Sequence, residues 1–414
     1  MEVSQMEVSP VAREKRCAVW KRSCIAVFGM VVLALFQCAA IHAQVASARQ
    51  QTAGDLKQSS PEQESGPGPA SQTEAESELQ TGTALTRKGS FREAIPHLLA
   101  ARGGVANEYA ANFNLALCYV ATGQSEPAIE VLNDLRRTGH DSVDVENLLA
   151  QAYIGNAQPK EALASVEKAA TLSPSNEKLY LFVADACMDH RDFGLGLKVA
   201  DIGLRNLPQS ARLHYEQAMF LTELDRFDEA KPQFELASKL AAGTEIGYLA
   251  KAQQELFAGD VVDAIGSARE GVKQGFQNPA LLTVLGEALI RSGVIPGQAE
   301  FAEAQAALER AVAQRPNDPA SQIALGRLYL TAGRLGDAIA HLEMARQLEP
   351  DRPTVYANLA KAYQRHGDAQ QAQDALAVLE KLNREQADRI RSAPGDRKAS
   401  YGGRLQEDGP SHQP

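Results

Sequence analysis

The sequence predicts an all-α array of nine helix pairs, and three observations predict it. A 34-residue unit, clearest from Pro319 to Arg352, recurs along the chain; two of its positions are always Gly or Ala; and each copy holds two apolar helical blocks split by a short turn. Laid over the chain, the frame starts repeats at Ala75, Tyr109, Val143, Glu177, Ala211, Glu245, Pro279, Pro319 and Pro353. Position 8 reads Gly82, Ala116, Ala150, Ala184, Ala218, Ala252, Gly286, Gly326 and Ala360. Position 20 reads Ala94, Ala128, Ala162, Gly196, Ala230, Ala264, Ala304, Ala338 and Ala372. Small residues at two fixed phases let two helix backbones approach closely, while larger neighbours fill the gaps beside them.

Within the clearest unit, Ile323 to Thr331 and Asp337 to Leu348 carry apolar residues at i, i+3, i+4 spacing, interrupted by Ala332-Gly333-Arg334. That pattern is an antiparallel helix pair. Pro350 cannot continue a helix, so it ends the second one and launches the next unit. The seventh repeat departs from the frame by six residues, Val294 to Ala299, inserted between its helices.

Leu325-Gly326, Tyr329, Gly333, Ala338, Leu342, Ala345 and Pro350 fall at positions 7, 8, 11, 15, 20, 24, 27 and 32 of the unit, and in this it resembles the tetratricopeptide repeat (TPR) family. The resemblance covers residues 75–386 and implies a right-handed superhelical solenoid whose concave groove is lined by the first helices. It carries no ligand residues over. One subgroup of that family clamps C-terminal carboxylates with Lys and Asn in one repeat, Asn in the next, and Lys and Arg in a third. Here Asn114 and Asn358 stand at position 6, but Leu79, Thr83, Ile323 and Arg327 occupy the preceding clamp positions.

Ahead of the array, residues 1–43 read as a signal peptide. Arg13, Lys15, Arg16, Lys21 and Arg22 precede the apolar run Cys24 to Phe36, and Ile41-His42-Ala43 supplies a small-residue cleavage site before Gln44. An uncleaved anchor is the alternative, since Cys24 to Ile41 has only Gln37 as a strongly polar member. Residues 44–74, with Gly66-Pro67-Gly68-Pro69 and few large apolar side chains, are predicted to be a disordered linker. Residues 387–414 are predicted to extend the last helix and then run out as a disordered tail after Pro394-Gly395. Repeat one, with Glu78 and Thr81, and repeat nine, with Gln364, Gln370, Gln371 and Gln373, carry polar side chains suited to the ends of an array.

The chain has a formal net charge of −10, and the predicted mature form, which lacks five basic and three acidic residues, has −12. This argues against a nucleic-acid partner, which needs a concentrated basic footprint. A membrane enters only if the amino-terminal segment is retained. Cys118 and Cys187, two repeats apart, are predicted to be buried apolar residues rather than a disulfide.

The sequence contains no HExxH, GxxxxGK[ST], GxSxG or CxxC signature, and no cofactor or metal is predicted. Its histidines are spread along the repeats, at turns and on helix faces. Asp185 and Asp189, an i, i+4 acidic pair, are predicted to be a solvated face, because no aromatic pocket is near to desolvate a general acid. The expected function is therefore a non-catalytic scaffold that binds a protein or peptide in the periplasm or outside the cell. Positions 2, 5, 9 and 12 form a stripe on the first helix separate from the core stripe, with position 13 beside it. There Tyr215, Met219, Leu249 and Phe257 are expected to give an apolar stretch, and Arg291, Arg327, Lys361 and Arg365 a basic one.

The export expectation has a direct check. Amino-terminal sequencing of the protein from its native host should begin at Gln44; a chain that keeps Met1 in the membrane fraction would favour the anchored alternative.

Overall fold

The computed structural model describes residues 69–392. The predicted signal peptide (1–43), most of the predicted linker (44–68) and the tail from 393 lie outside the described residues. Among the described residues there are eighteen α-helices and no strand. The chain divides into two compact units, the first ending at Pro208 and the second beginning at Gln209.

The first unit holds four helix pairs: α1 (Pro69–Arg87) with α2 (Phe91–Ala101), α3 (Glu108–Ala121) with α4 (Ser125–Arg137), α5 (Val143–Gly155) with α6 (Pro159–Leu172), and α7 (Glu177–Asp189) with α8 (Phe193–Asn206). The second holds five: α9 (Ala211–Glu223) with α10 (Phe227–Leu240), α11 (Glu245–Ala258) with α12 (Val261–Lys273), α13 (Pro279–Arg291) with α14 (Ala299–Gln314), α15 (Pro319–Thr331) with α16 (Leu335–Leu348), and α17 (Pro353–His366) with α18 (Ala369–Ser392). From Val143 onward every first helix begins on the residue at which the 34-residue frame starts a repeat. Side-chain caps explain several of these starts. Ser142, Ser210, Thr244, Asn278 and Asp318 each accept a backbone N–H from the first turn, satisfying a donor that the helix itself leaves open.

Two boundaries differ from expectation. Helix α1 begins at Pro69, ahead of Ala75, so the end of the predicted linker is helical; proline is well suited to a first turn, where its missing N–H costs nothing. Helix α3 begins one residue ahead of Tyr109, at Glu108, because Asn107 caps it through Ala110 N–H at 3.0 Å.

Position 15 sets the turn inside each pair. It has positive φ in all nine, as Gly89, Gly123, Gly259, Gly293, Gly333 and Gly367, and as Ala157, Arg191 and Asp225. Left-handed backbone at that position reverses the chain after the first helix, and glycine adopts it without a Cβ penalty. The two small positions then meet at the seam. Ala116, Ala150, Ala184, Ala218 and Ala252 are fully buried, as are Ala94, Ala128, Ala162, Ala264, Ala304 and Ala338. A Cβ placed on Gly326 would lie 2.7 Å from Leu342 Cγ and 3.4 Å from the Ala338 carbonyl.

Side-chain hydrogen bonds recur with the same period. The residue at position 4 donates to the position-32 proline carbonyl of the repeat before it: Tyr180 to Pro174 at 3.1 Å, Gln322 to Pro316 at 2.7 Å, Tyr356 to Pro350 at 2.5 Å. Position 11 reaches back to position 25: Tyr329 Oη donates to Glu309 at 2.7 Å and Tyr363 Oη to Glu343 at 2.8 Å. Burial, followed by these carboxylates, pushes both phenols up to about 12. Positions 4 and 23 bridge the two helices of one repeat, as His97 with Glu78 and His341 with Gln322.

Two substitutions should move stability in opposite directions. Gly326→Leu overpacks the α15–α16 seam and should cost roughly 1–3 kcal/mol. Ala157→Gly removes the strain of a left-handed alanine and should stabilise by about 0.5–1 kcal/mol, part of the roughly 1–2 kcal/mol penalty being offset by glycine's entropy. Thermal unfolding of both variants measures this, and a fall in melting temperature for Ala157→Gly would contradict the turn assignment.

Candidate functional site

The predicted stripe lies on the first helices of the second unit. Its apolar half does not form a surface. Tyr215 is 8% exposed and packs edge-on against Phe234 of α10, with ring centroids 5.7 Å apart. Leu249 is 3% exposed, as is Leu256. Tyr215 and Leu249 are therefore corrections to the expected groove: both position-5 side chains are consumed in packing against neighbouring helices. Phe257 is half-buried, with Phe227 at 6.2 Å and Phe234 at 5.8 Å, so it belongs to the same aromatic stack. Met219 is the one residue of that group left partly exposed without a ring contact of this kind.

The basic half is also engaged, and in a regular way. Arg327 donates to both oxygens of Glu287 at 2.6 and 2.8 Å, and Arg291 Nε donates to the same carboxylate at 3.0 Å. Arg291 also reaches the Leu256 carbonyl at 3.2 Å, and Arg365 the Leu330 carbonyl at 2.6 Å. Those carbonyls sit in the last turns of α11 and α15, where helices leave acceptors unsatisfied and where positive charge is favoured by the dipole. In repeats seven and nine position 13 therefore serves as a cap on the preceding repeat's first helix. Lys361 alone of the four is exposed at position 9 with neither role. It stands on the rim of a hollow of about 410 Å³ between α17 and α18, floored by Ala357, Ala360, Ala372, Leu376 and Leu379.

In the first unit, Glu146 is fully buried, with Lys168 at 2.9 Å and Arg136 at 3.6 Å. Lys168 also holds Asp141 at 2.5 Å, and that hydrogen bond keeps the Asp141 carboxyl below its ordinary range. This cluster ties α5 and α6 to the end of α4 and is neutral in sum. Cys118 and Cys187 are buried and unpaired with one another, and burial pushes their thiols up to about 11 and about 12, so neither is ionised near neutral pH. Asp185 and Asp189 are exposed on α7. Among the described residues, no group of three or more His, Cys, Asp or Glu side chains is placed to hold a metal ion, and no helix is long and apolar enough to cross a membrane.

Family models described as tetratricopeptide repeat match residues 85–152, 147–176, 297–353 and 330–393. No curated protein matches the chain. Among solved structures, the APC/C hetero-tetramer Cut9–Hcn1 is similar at 15% identity and a TM-score of 0.46, over 74% of this chain and 60% of that one. A tetratricopeptide repeat protein from Parabacteroides merdae is similar at 15% identity and a TM-score of 0.44, over 62% of this chain and 99% of that one. YrrB, a TPR protein with an unusual peptide-binding site, follows at 16% identity and a TM-score of 0.31, over 44% and 91%. The chain spans 60% of the length of the Cut9–Hcn1 chain it matches, and likeness at this level concerns the fold alone. With the repeat frame, the turn at position 15 and the family models in agreement, the chain is a tetratricopeptide repeat protein.

Proposed function

We propose that the protein is a non-catalytic scaffold that binds a partner protein outside the cytoplasm, through a peptide segment laid on the first-helix face of the second unit. The observation that carries this is the α17–α18 hollow, whose apolar floor is rimmed by an exposed, uncompensated Lys361. An apolar side chain of the partner would fill the hollow, and an acidic one beside it would pair with the ammonium. Apolar filling supplies affinity, and the charge supplies direction and on-rate. Met219 and the exposed edge of Phe257 extend the surface toward the start of the unit. The signal-like segment supports a periplasmic or secreted location. A membrane-tethered assembly subunit is the second reading, favoured by the length of the Cys24 to Ile41 run.

Capture of partners from an envelope extract, identified by mass spectrometry, followed by titration of the matching peptide, tests the proposal. Lys361→Glu should weaken binding about fivefold or more at low salt, equivalent to roughly 1 kcal/mol, and the difference should shrink at high salt. Unchanged affinity at low salt would sink the electrostatic part. Arg327→Met should behave differently: it leaves the half-buried Glu287 with Arg291 as its remaining partner and should cost about 1 kcal/mol of stability, with most of that recovered in the double variant carrying Glu287→Gln. Urea unfolding of the single and double variants measures the recovery.

A further inference from the structure

The second unit touches itself at a long sequence separation. Arg352, in the loop entering α17, bonds Glu349 at 2.6 Å and lies 3.6 Å from Glu223, at the carboxyl end of α9. Repeat five therefore meets the junction of repeats eight and nine. A second sign of the same closure is Tyr215. It stands two turns before Glu223 on α9, packed on Phe234 of α10, and charges of the loop entering α15 reach it. Its hydroxyl is held in the neutral form by burial, and then by the charges of Glu216 and of Asp318, the cap of α15, with Arg315 opposing. Helix α9 thus runs past the loops that lead into α15 and into α17, with Tyr215 toward one and Glu223 toward the other.

We propose that the second unit's first-helix face is latched, from repeat five to the junction of repeats eight and nine, by Arg352 to Glu223, and that an acidic side chain of a bound partner opens the latch by taking Glu223's place on Arg352. This deepens the scaffold reading and rests on it for the identity of the opener. The latch is suited to exchange. Its N–O separation is long for an ion pair, and the Arg352 and Glu223 side chains keep 32% and 25% of their surface in water, so salt and competing carboxylates reach it. Glu349, bonded to Arg352 on its other side, keeps the guanidinium aimed while one partner is exchanged for another. Met219, partly exposed, stands one turn before Glu223 on α9, so an apolar contact for the partner lies beside the latch.

The test uses the full chain with Thr222→Cys and Thr354→Cys, which flank the latch and leave both charges in place. A short bis-maleimide is added and the loop-linked peptide is quantified by mass spectrometry. The buried Cys118 and Cys187 serve as internal unreactive thiols. Linkage in the native protein that disappears in urea is expected. Arg352→Glu should reduce it, and Glu223→Arg combined with Arg352→Glu should restore it; equal yields in all three backgrounds would overturn the latch. Hexaglutamate, followed by fluorescence anisotropy in the same samples, separates the two readings. Binding with loss of linkage supports exchange at Arg352, binding with linkage unchanged overturns it, and no binding at low salt counts against the acidic-partner reading itself while the charge-swap arm still decides the latch.

Discussion

Everything in this chain depends on how closely two helix backbones can approach within one repeat. The approach is possible because position 8 and position 20 present a hydrogen or a methyl group, and it is enforced by the left-handed residue at position 15, which leaves no slack between the helices. Three repeats use Ala157, Arg191 or Asp225 at that turn, where the conformation is strained, and they keep the same geometry as the six that use glycine. Packing at the seam therefore outweighs the local cost. A strain of roughly 1–2 kcal/mol is small against the burial of several large side chains per repeat.

Once the pair is fixed, neighbouring repeats are joined by polar contacts that repeat with the frame. The position-4 donor to the position-32 proline carbonyl satisfies an acceptor that the helix-breaking proline leaves at the junction. The Tyr329–Glu309 and Tyr363–Glu343 bonds tie the first helix of one repeat to the second helix of the one before. Because each of these contacts spans one junction only, they enter stability as nearest-neighbour terms.

The repeat frame was legible in the sequence because helix periodicity and small-residue spacing are properties of single residues counted along a line. Helix starts from Val143 onward, the fate of Cys118 and Cys187 and the turn at Gly333 all follow from such counting. The proposed binding face was less legible, because a stripe on a helix tells which side chains share a direction and not what lies in front of them. Tyr215 and Leu249 share the stripe with Lys361, yet they are buried by neighbours that only the folded chain supplies. Arg291 and Arg365 read as free cations until the carbonyls of Leu256 and Leu330, 35 residues earlier, are brought beneath them. The signal for that was present as an arginine at position 13 of repeats seven and nine, but its meaning required knowing that this position overhangs the previous helix end.

A repeat array satisfies each unit's polar and apolar groups with the unit that follows, and this makes the last unit chemically distinct. Position 9 shows it: Glu287 is neutralised by Arg327 of the next repeat, whereas among the described residues no further repeat stands beyond Lys361 to answer it. The apolar positions show the same break. Ile323 and Leu330, buried in repeat eight under repeat nine, are replaced in repeat nine by Ala357 and Gln364, which tolerate water. Leu376 keeps the position-24 leucine of repeat eight, Leu379 stands where repeat eight has Ala345, and both line the hollow beside Lys361. A face meant only to end the array would be expected to lose its apolar side chains throughout. Two leucines beside an uncompensated lysine, one of them in place of an alanine, are therefore what the proposed docking of a partner at the α17–α18 end rests on.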